Sequence, residues 1–209
     1  MLAKILILLC AFVFTPAFAG GPPITRAPSA SGVKNTKKDK GKKKGLKVAE
    51  AAKQLLEASE IEVEMHLSQH SGHLVDIASS LDVQPDQAIA VVGGDGSLSE
   101  SITGWMMQSK DNSTIRFGLI PAGTGNSQAH DFGIKSMEDA VSRIVNGATQ
   151  SIDLARVELT EGLPGNTKGQ MIRYSHNLVT WGLGVDSTIK AEKMRWMGPI
   201  RYDVGILMA

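Results

Sequence analysis

The chain has 209 residues, 42% of them hydrophobic, which is enough for one well-packed core and part of a second domain. Lysine and arginine number 22 against 21 acidic residues, and the resulting net charge of +1 gives no argument for a nucleic-acid partner. Because Cys10 is the single cysteine, the chain cannot be a fold held together by internal disulfides. No Cys/His cluster has zinc-ligand spacing.

Residues 1–19 have the pattern of a signal peptide or an uncleaved membrane anchor. Lys4 provides a positive start, residues 5–14 are apolar, and residues 17–19 form a small-x-small cleavage site. Residues 20–33 follow as a linker rich in Gly, Pro and Ser. We therefore expect the chain to be targeted to the endoplasmic reticulum, the secretory pathway or a plastid, and to associate with a membrane.

A lysine-rich segment follows, with eight lysines between residues 34 and 47 and Asp39 as its only acid. Such a run is usually a solvated, disordered face. It can also attract anionic lipid headgroups or nucleotide phosphates, so a membrane surface is an expected partner.

Helical and strand patterns then alternate along the chain. Apolar periodicity predicts helices at residues 46–58, 74–81, 98–106 and 136–147, and strands at residues 61–67, 88–92 and 115–120. Ser136 and Asp139 resemble a capping box for the last helix, which Gly147 closes. This alternation predicts an α/β domain over residues 34–150 with a mostly parallel sheet.

The pattern changes after residue 150. Two strand-like runs, residues 152–159 and 177–185, are separated by a Gly/Pro turn at residues 162–169, with no helix between them. They predict the start of an antiparallel β domain over residues 151–209, which is cut off at Ala209.

The strongest local signal is a glycine turn that joins the strand at residues 88–92 to the next helix. It contains Gly93, Gly94, Asp95 and Gly96. Glycines let the backbone approach a phosphate closely, and the N-terminus of the helix favours an anion. Asp95 lies at the carboxyl end of a strand, where ligands bind in open α/β sheets. The alternative is a plain connection in which Asp95 caps the helix.

A second glycine turn also follows an apolar strand, and it contains Gly123, Thr124, Gly125 and Asn126. Two such loops at strand ends of one sheet can line a single crevice with backbone donors, a hydroxyl, an amide and one carboxylate. That set of groups is typical of phosphoryl transfer. The sequence has neither a P-loop, nor a protein-kinase signature, nor the Gly-x-Ser-x-Gly turn of serine hydrolases.

The two loops, in this order and spacing, resemble the catalytic domain shared by diacylglycerol, sphingosine and ceramide kinases. In that family Gly-Gly-Asp-Gly-Ser/Thr is followed by a Glu, here Glu100, and then by Pro-x-Gly-Thr/Ser-Gly-Asn, here residues 121–126. The resemblance implies an ATP- and Mg²⁺-dependent lipid kinase. Asp95 then orients and deprotonates the lipid hydroxyl, the glycine loops hold ATP, and Ser68 lies near the nucleotide.

The tail resembles sphingosine and ceramide kinases more than bacterial diacylglycerol kinases. A Gly-rich stretch ends in Asp186, and a Glu-Lys-x-Arg segment at residues 192–195 and an Arg-aromatic pair at residues 201–202 follow. By position, Arg195 and Arg201 match arginines that hold nucleotide phosphates, and Asp186 is placed at the lipid substrate. The implied substrate is a sphingoid base or a ceramide-like lipid. For both arginines the structural alternative is an ion pair with a nearby acid.

Three differences from the family leave alternatives open. The family begins with a strand running into an Asn-Pro-x-Ser-Gly loop, whereas residues 35–45 have no Pro and no apolar strand before them, so the lysine-rich segment is interpreted as a remnant of that loop. Thr188 stands where sphingosine kinases have a second Asp, and the rest of the lipid-binding domain is missing beyond Ala209. The alternatives are a diacylglycerol kinase, or a truncated, inactive relative that binds nucleotide or lipid without turnover. Metal ligands and oligomeric state are not indicated.

Overall fold

The computed structural model describes residues 4–9, 36–108, 115–123, 125–159, 171–179, 183–194, 197 and 200–208. The chain divides into two compact units. The first comprises Met1–Phe14 with Lys37–Asp153, and the second comprises Thr15–Thr36 with Leu154–Ala209.

The first unit is an α/β fold around a four-stranded parallel sheet, which confirms the predicted fold class for this part of the chain. The strands are β1 (Lys4–Leu9), β2 (Glu62–Leu67), β3 (Gln87–Gly93) and β4 (Phe117–Pro121), in the spatial order β2-β1-β3-β4. The helices are α1 (Thr36–Glu57), α2 (His73–Ser80), α3 (Asp95–Met106), α4 (Ser127–Asp131) and α5 (Met137–Val145).

Strand β3 is buried from Ala88 to Gly93, as its uninterrupted apolar run predicts for an interior parallel strand. Ala90 and Val92 pack into a cluster that includes residues of α1 and α5. Because successive side chains of a strand alternate, Ile89 and Val91 are buried on the opposite face. Both faces of the sheet are therefore covered, which fixes β3 and the turn that follows it.

Strand β1 is formed by the segment that has the pattern of a signal peptide. It lies between β2 and β3 and is parallel to both. Ile7 is fully buried in the core cluster. The Lys4 ammonium lies 2.9 Å from the Glu64 carboxylate and 3.3 Å from that of Glu62, which raises the pKa of Lys4, while the Lys4 contact lowers the pKa of Glu64.

The prediction that no apolar strand precedes the lysine-rich segment is therefore wrong. The domain expected over residues 34–150 also includes residues 4–9. The physical reason is that a short apolar run bounded by polar residues fits a leader and an interior parallel strand equally well. The function of residues 1–19 as a leader in the cell stays a prediction.

Helix α1 begins at Thr36, whereas the apolar periodicity predicted a start at residue 46. The lysine-rich segment therefore continues into helical turns, in place of the disordered face or loop remnant expected for it. Lysine is a good helix former, and the later turns anchor the helix because Ala49, Ala52 and Leu56 are fully buried. Lys44 and Lys47 are exposed on this helix.

The second unit contains an antiparallel pair, β5 (Ala155–Leu159) with β6 (Met171–Ser175), followed by α6 (Leu183–Lys193) and α7 (Arg201–Leu207). The strand predicted at residues 177–185 is wrong, because residues 177–179 have no regular structure and α6 begins at Leu183. A strand at residues 177–185 would need a neighbouring strand for its backbone hydrogen bonds, whereas β5 pairs with β6. A helix forms its backbone hydrogen bonds internally, as the segment from Leu183 does in α6. In the part of the chain that the structure describes, no helix combines the length and apolar character needed to cross a membrane.

Candidate functional site

The two glycine loops lie next to each other at one edge of the sheet. β3 and β4 are parallel neighbours, and Gly93 is paired in register with Pro121, so both strands end at the same level. The order of the strands reverses between β1 and β3, and the carboxyl ends of strands at such a switch point form the usual ligand crevice of open α/β sheets. The structure thus brings the two predicted loops together at the expected edge.

The backbones of the two loops are in direct contact. The carbonyl of Gly93 accepts hydrogen bonds from the N–H groups of Ala122 and Gly123, at 2.9 and 3.3 Å. A Cβ atom added to Gly123 would lie only 2.9 Å from the Cα of Gly94 and 2.7 Å from Oδ1 of Asn126. Glycine at position 123 is therefore required for the loops to pack this closely.

Asn126 closes the second loop through its side chain. Its Oδ1 accepts from the N–H of Gly123 and its Nδ2 donates to the carbonyl of the same glycine, each at 3.0 Å. The Asn126 backbone has φ 56° and ψ 42°, a left-handed conformation that Asn tolerates better than most residues. The loop is thus held by a two-point pairing between an amide side chain and the Gly123 peptide groups.

Asp95 joins the first loop to helix α4. Its Oδ2 accepts from the N–H of Ser127 and its Oδ1 from the N–H of Gln128, both at 2.9 Å. The carboxylate therefore caps α4, the helix that follows the other glycine loop. The alternative in which Asp95 caps α3 is wrong, because Gly94 is the N-cap of α3, no side-chain hydrogen bond caps that helix, and Asp95 is its first residue. Asp95 is half-buried and lies two residues after the end of β3, at the carboxyl edge of the sheet.

We expect Gly123→Ala to destabilise the first unit by about 1–3 kcal/mol, because the added methyl overlaps the Gly94 backbone, which cannot move aside cheaply. Gly125→Ala is the matched control from the same loop, since its Cβ would lie 3.9 Å from the Asp95 carboxylate, an ordinary contact. Thermal unfolding of both variants measures the difference. Equal stability of the two variants would contradict the described contact between the loops.

Ser68 and Glu100 lie in the same unit. Ser68 is buried and follows directly after β2, at the carboxyl edge of the sheet. Because β1 separates β2 from β3, Ser68 lies roughly 10 Å across the sheet from Gly93, two strand spacings away. Glu100, one turn along α3, accepts a hydrogen bond from the hydroxyl of Ser71 at 3.5 Å, which links the α3 side of the site to the start of α2.

The other predicted site residues belong to the second unit or lie outside the described residues. Asp186 is exposed in the first turn of α6, where an acid also stabilises the helix N-terminus. Arg201 is 4% exposed at the start of α7. Arg195 and Thr124 lie outside the described residues.

Helix α4 was missed from the sequence, although its first two N–H groups are the ones that bind Asp95. Five residues are too short to show an apolar period, and the cap comes from Asp95, more than 30 positions earlier, while the preceding Asn126 turns its side chain back to Gly123. A usable signal was Asn126 itself, since Asn is favoured both in the left-handed conformation and before a helix.

The assembled groups suit the binding of an anion and the activation of a hydroxyl. Two glycine turns bring backbone close to the surface, α3 directs its N-terminus to the same edge, and Asp95 adds a carboxylate. Within the described residues, no three His, Cys, Asp or Glu side chains converge to hold a metal ion.

Comparison with known proteins extends the similarity beyond the loops. Residues 36–157, more than half of the chain, match the diacylglycerol kinase catalytic domain family. The chain is 33% identical to sphingosine kinase 1 of Arabidopsis thaliana over 172 residues, which cover 78% of this chain and 34% of that protein.

Two further relatives belong to different substrate classes by name. Identity to ceramide kinase of Mus musculus is 27% over 179 residues, covering 78% of this chain and 32% of that protein. Identity to diacylglycerol kinase of Mycobacterium tuberculosis (strain ATCC 25618 / H37Rv) is 32% over 123 residues, covering 57% of this chain and 36% of that protein. The chain thus spans about a third of the length of these curated relatives.

Proposed function

Since the chain belongs to the diacylglycerol kinase catalytic domain family, we propose that it forms the nucleotide-binding part of an ATP-dependent lipid kinase. The observation that carries this proposal is the junction of two glycine loops and one carboxylate at the carboxyl edge of a parallel sheet. Three features support it: the contact of Gly93 with Gly123, the hydrogen bonds of Asp95 to α4, and the match over residues 36–157.

The glycine loops supply the phosphate site. Without side chains, Gly94, Gly96 and Gly125 let the backbone N–H groups approach the phosphate oxygens of ATP, and the start of α3 adds a favourable dipole. Gly123 allows the close packing of the two loops, and its own N–H is bound by Gly93 and Asn126. Donors fixed in this way neutralise charge on the transferring phosphoryl group without having to reorganise. Thr124 and Asn126 complete the proposed nucleotide loop, and Ser68 lies at the same edge of the sheet.

Asp95 is the proposed acceptor of the proton. The lipid hydroxyl oxygen forms a bond to the γ-phosphorus of ATP, the bond from that phosphorus to the β-γ bridging oxygen breaks, and the hydroxyl proton passes to the carboxylate. ADP and the phosphorylated lipid are the products. The hydrogen bonds from Ser127 and Gln128 hold the carboxylate in a fixed orientation for this proton transfer.

Mg²⁺ is proposed to arrive as the Mg·ATP complex. Magnesium keeps several waters and usually binds proteins through one or two carboxylates together with substrate phosphates. Asp95 stays the proposed proton acceptor, and the ion would be held mainly by the phosphates of ATP and by its own waters. When bound, the ion supplies neutralisation of phosphate charge.

A sphingoid base or a ceramide-like lipid is the proposed substrate. The matches to relatives named as sphingosine and ceramide kinases extend over 78% of the chain, whereas the match to the bacterial relative named as a diacylglycerol kinase covers 57%. This wider coverage supports the proposal that the tail, with Asp186 and the proposed phosphate-binding residues Arg195 and Arg201, resembles the first two classes.

A membrane surface is the proposed setting, because lipid substrates reside there. Lys44 and Lys47 are exposed on α1, at the end of a segment with eight lysines. Each exposed lysine near an anionic leaflet contributes about 1 kcal/mol of attraction, so a few of them are enough to hold the domain at the bilayer.

A lipid panel tests the proposal. The chain, and a version extended by its downstream coding sequence where one exists, is incubated with labelled ATP and vesicles that contain sphingosine, ceramide or diacylglycerol. We expect label in sphingosine or ceramide, and less activity on neutral vesicles or at high salt.

Each other outcome has a defined meaning. Strong preference for diacylglycerol would replace the substrate proposal with the diacylglycerol kinase alternative. ATP binding without transfer to any of the three lipids, in the extended version as well, would identify an inactive relative. Activity that ignores both vesicle charge and salt would remove the proposed function of the lysines.

A further inference from the structure

The Asn126 side chain is directed into the protein loop and not toward solvent. Its two hydrogen bonds go to the N–H and the carbonyl of Gly123. Its Oδ1 also lies over the neighbouring loop, since a Cβ atom built on Gly94 would be 3.5 Å from this oxygen. The amide group therefore fills the space between the two glycines.

This arrangement ties the position of one loop to that of the other. The N–H of Gly123 is shared between Oδ1 of Asn126 and the carbonyl of Gly93, so the same peptide group is held by both loops. On the other side of Asn126, the N–H groups of Ser127 and Gln128 are held by Asp95. Asn126 thus lies between the two sets of hydrogen bonds that connect the first glycine loop to the second.

We propose that Asn126 is a positioning residue, which holds the Gly123 backbone in place for the nucleotide phosphates and does not itself contact the nucleotide. This inference rests on the proposed function and refines the assignment of Asn126 as a binding residue. Asn126 affects ATP binding through Gly123, and its pairing with Gly123 is already formed in the protein without nucleotide.

Two substitutions separate the side-chain pairing from the backbone conformation. Asn126→Asp keeps the shape and the acceptor for the Gly123 N–H, but places a carboxylate oxygen against the Gly123 carbonyl oxygen. Asn126→Gly removes the side chain and is comfortable in the left-handed conformation. Asn146→Asp is the matched control, because Asn146 follows α5 on the exposed surface and its side chain donates a long, 3.4 Å hydrogen bond to the hydroxyl of Ser142.

The experiment uses the full chain and two measurements. Amide hydrogen exchange of Gly123 is measured without nucleotide, and the Kd for ATP is measured by calorimetry, both well below the thermal midpoint of each variant. We expect the Gly123 amide to exchange about tenfold faster or more in both Asn126 variants, and the Kd for ATP to rise by a similar factor. The Asn146→Asp control keeps the wild-type values of both.

Three results would overturn the inference. Weaker ATP binding with unchanged exchange would make Asn126 a direct nucleotide contact. Faster exchange with unchanged ATP binding would make the pairing purely structural, and no change in either would remove any special function of Asn126. If Asn126→Asp fails to fold, Asn126→Gly decides between these results. Failure of the proposed function is distinguishable, because the wild-type chain itself then shows no binding of ATP.

Discussion

Replacing Ile7 by Asp is expected to unfold the α/β unit or to destabilise it by about 4 kcal/mol or more. Ile7 is fully buried in the core cluster, on a strand that pairs with β2 on one side and β3 on the other. A carboxylate at this site has no partner among the apolar residues of the cluster, and burial of an unpaired charge is among the most destabilising single changes. Chemical denaturation of purified protein measures the loss.

Leu55→Asp is the matched control, because Leu55 is 41% exposed on α1 and its replacement leaves the core intact. We expect this variant to lose much less stability than Ile7→Asp. Equal, wild-type stability of both variants would contradict the placement of β1 in the sheet, and would favour the interpretation of residues 1–19 as a leader that is absent from the folded protein.

Asp95→Asn is expected to reduce phosphoryl transfer on the order of 100-fold or more, because an amide cannot accept the hydroxyl proton. The structure adds a second effect. One carboxylate oxygen becomes an NH₂ group that faces the N–H of Ser127 or Gln128, so one hydrogen bond is lost and two donors oppose each other. We therefore also expect a loss of stability of about 1–3 kcal/mol. Initial rates with a saturating lipid, together with thermal unfolding, measure the two effects.

Asp131→Asn makes the same chemical change at the other, exposed end of α4 and is expected to retain wild-type rates. A rate near wild type in Asp95→Asn, with the stability loss present, would show that Asp95 is a helix cap and not the base. Retained stability with a lost rate would instead contradict the described hydrogen bonds to α4.

The sequence was sufficient to place the two glycine loops side by side. Each loop follows an apolar run that ends in Gly or Pro, and the carboxyl ends of parallel strands share one edge of a sheet. It was not sufficient to show how the loops are joined. The hydrogen bonds from Ser127 and Gln128 to Asp95 span more than 30 positions, and no periodicity connects such distant residues.

The missed strand and the wrongly predicted strand have a common physical origin. Residues 4–9 and residues 177–185 are both short apolar runs, and such runs fit a leader, a strand or a helix segment. Their structure depends on neighbours: β1 is accommodated between β2 and β3, whereas the segment from Leu183 forms α6. Local pattern alone does not contain that information.

The most direct test of the central claim is to titrate ATP into the chain and follow the exchange of the Gly94, Gly96, Gly123 and Gly125 amides. If the two loops form one nucleotide site, amides of both loops gain protection together, with a single Kd, and Asp95→Asn and Gly123→Ala weaken that protection. Protection of one loop alone, protection elsewhere in the chain, or no protection at saturating ATP would contradict the claim.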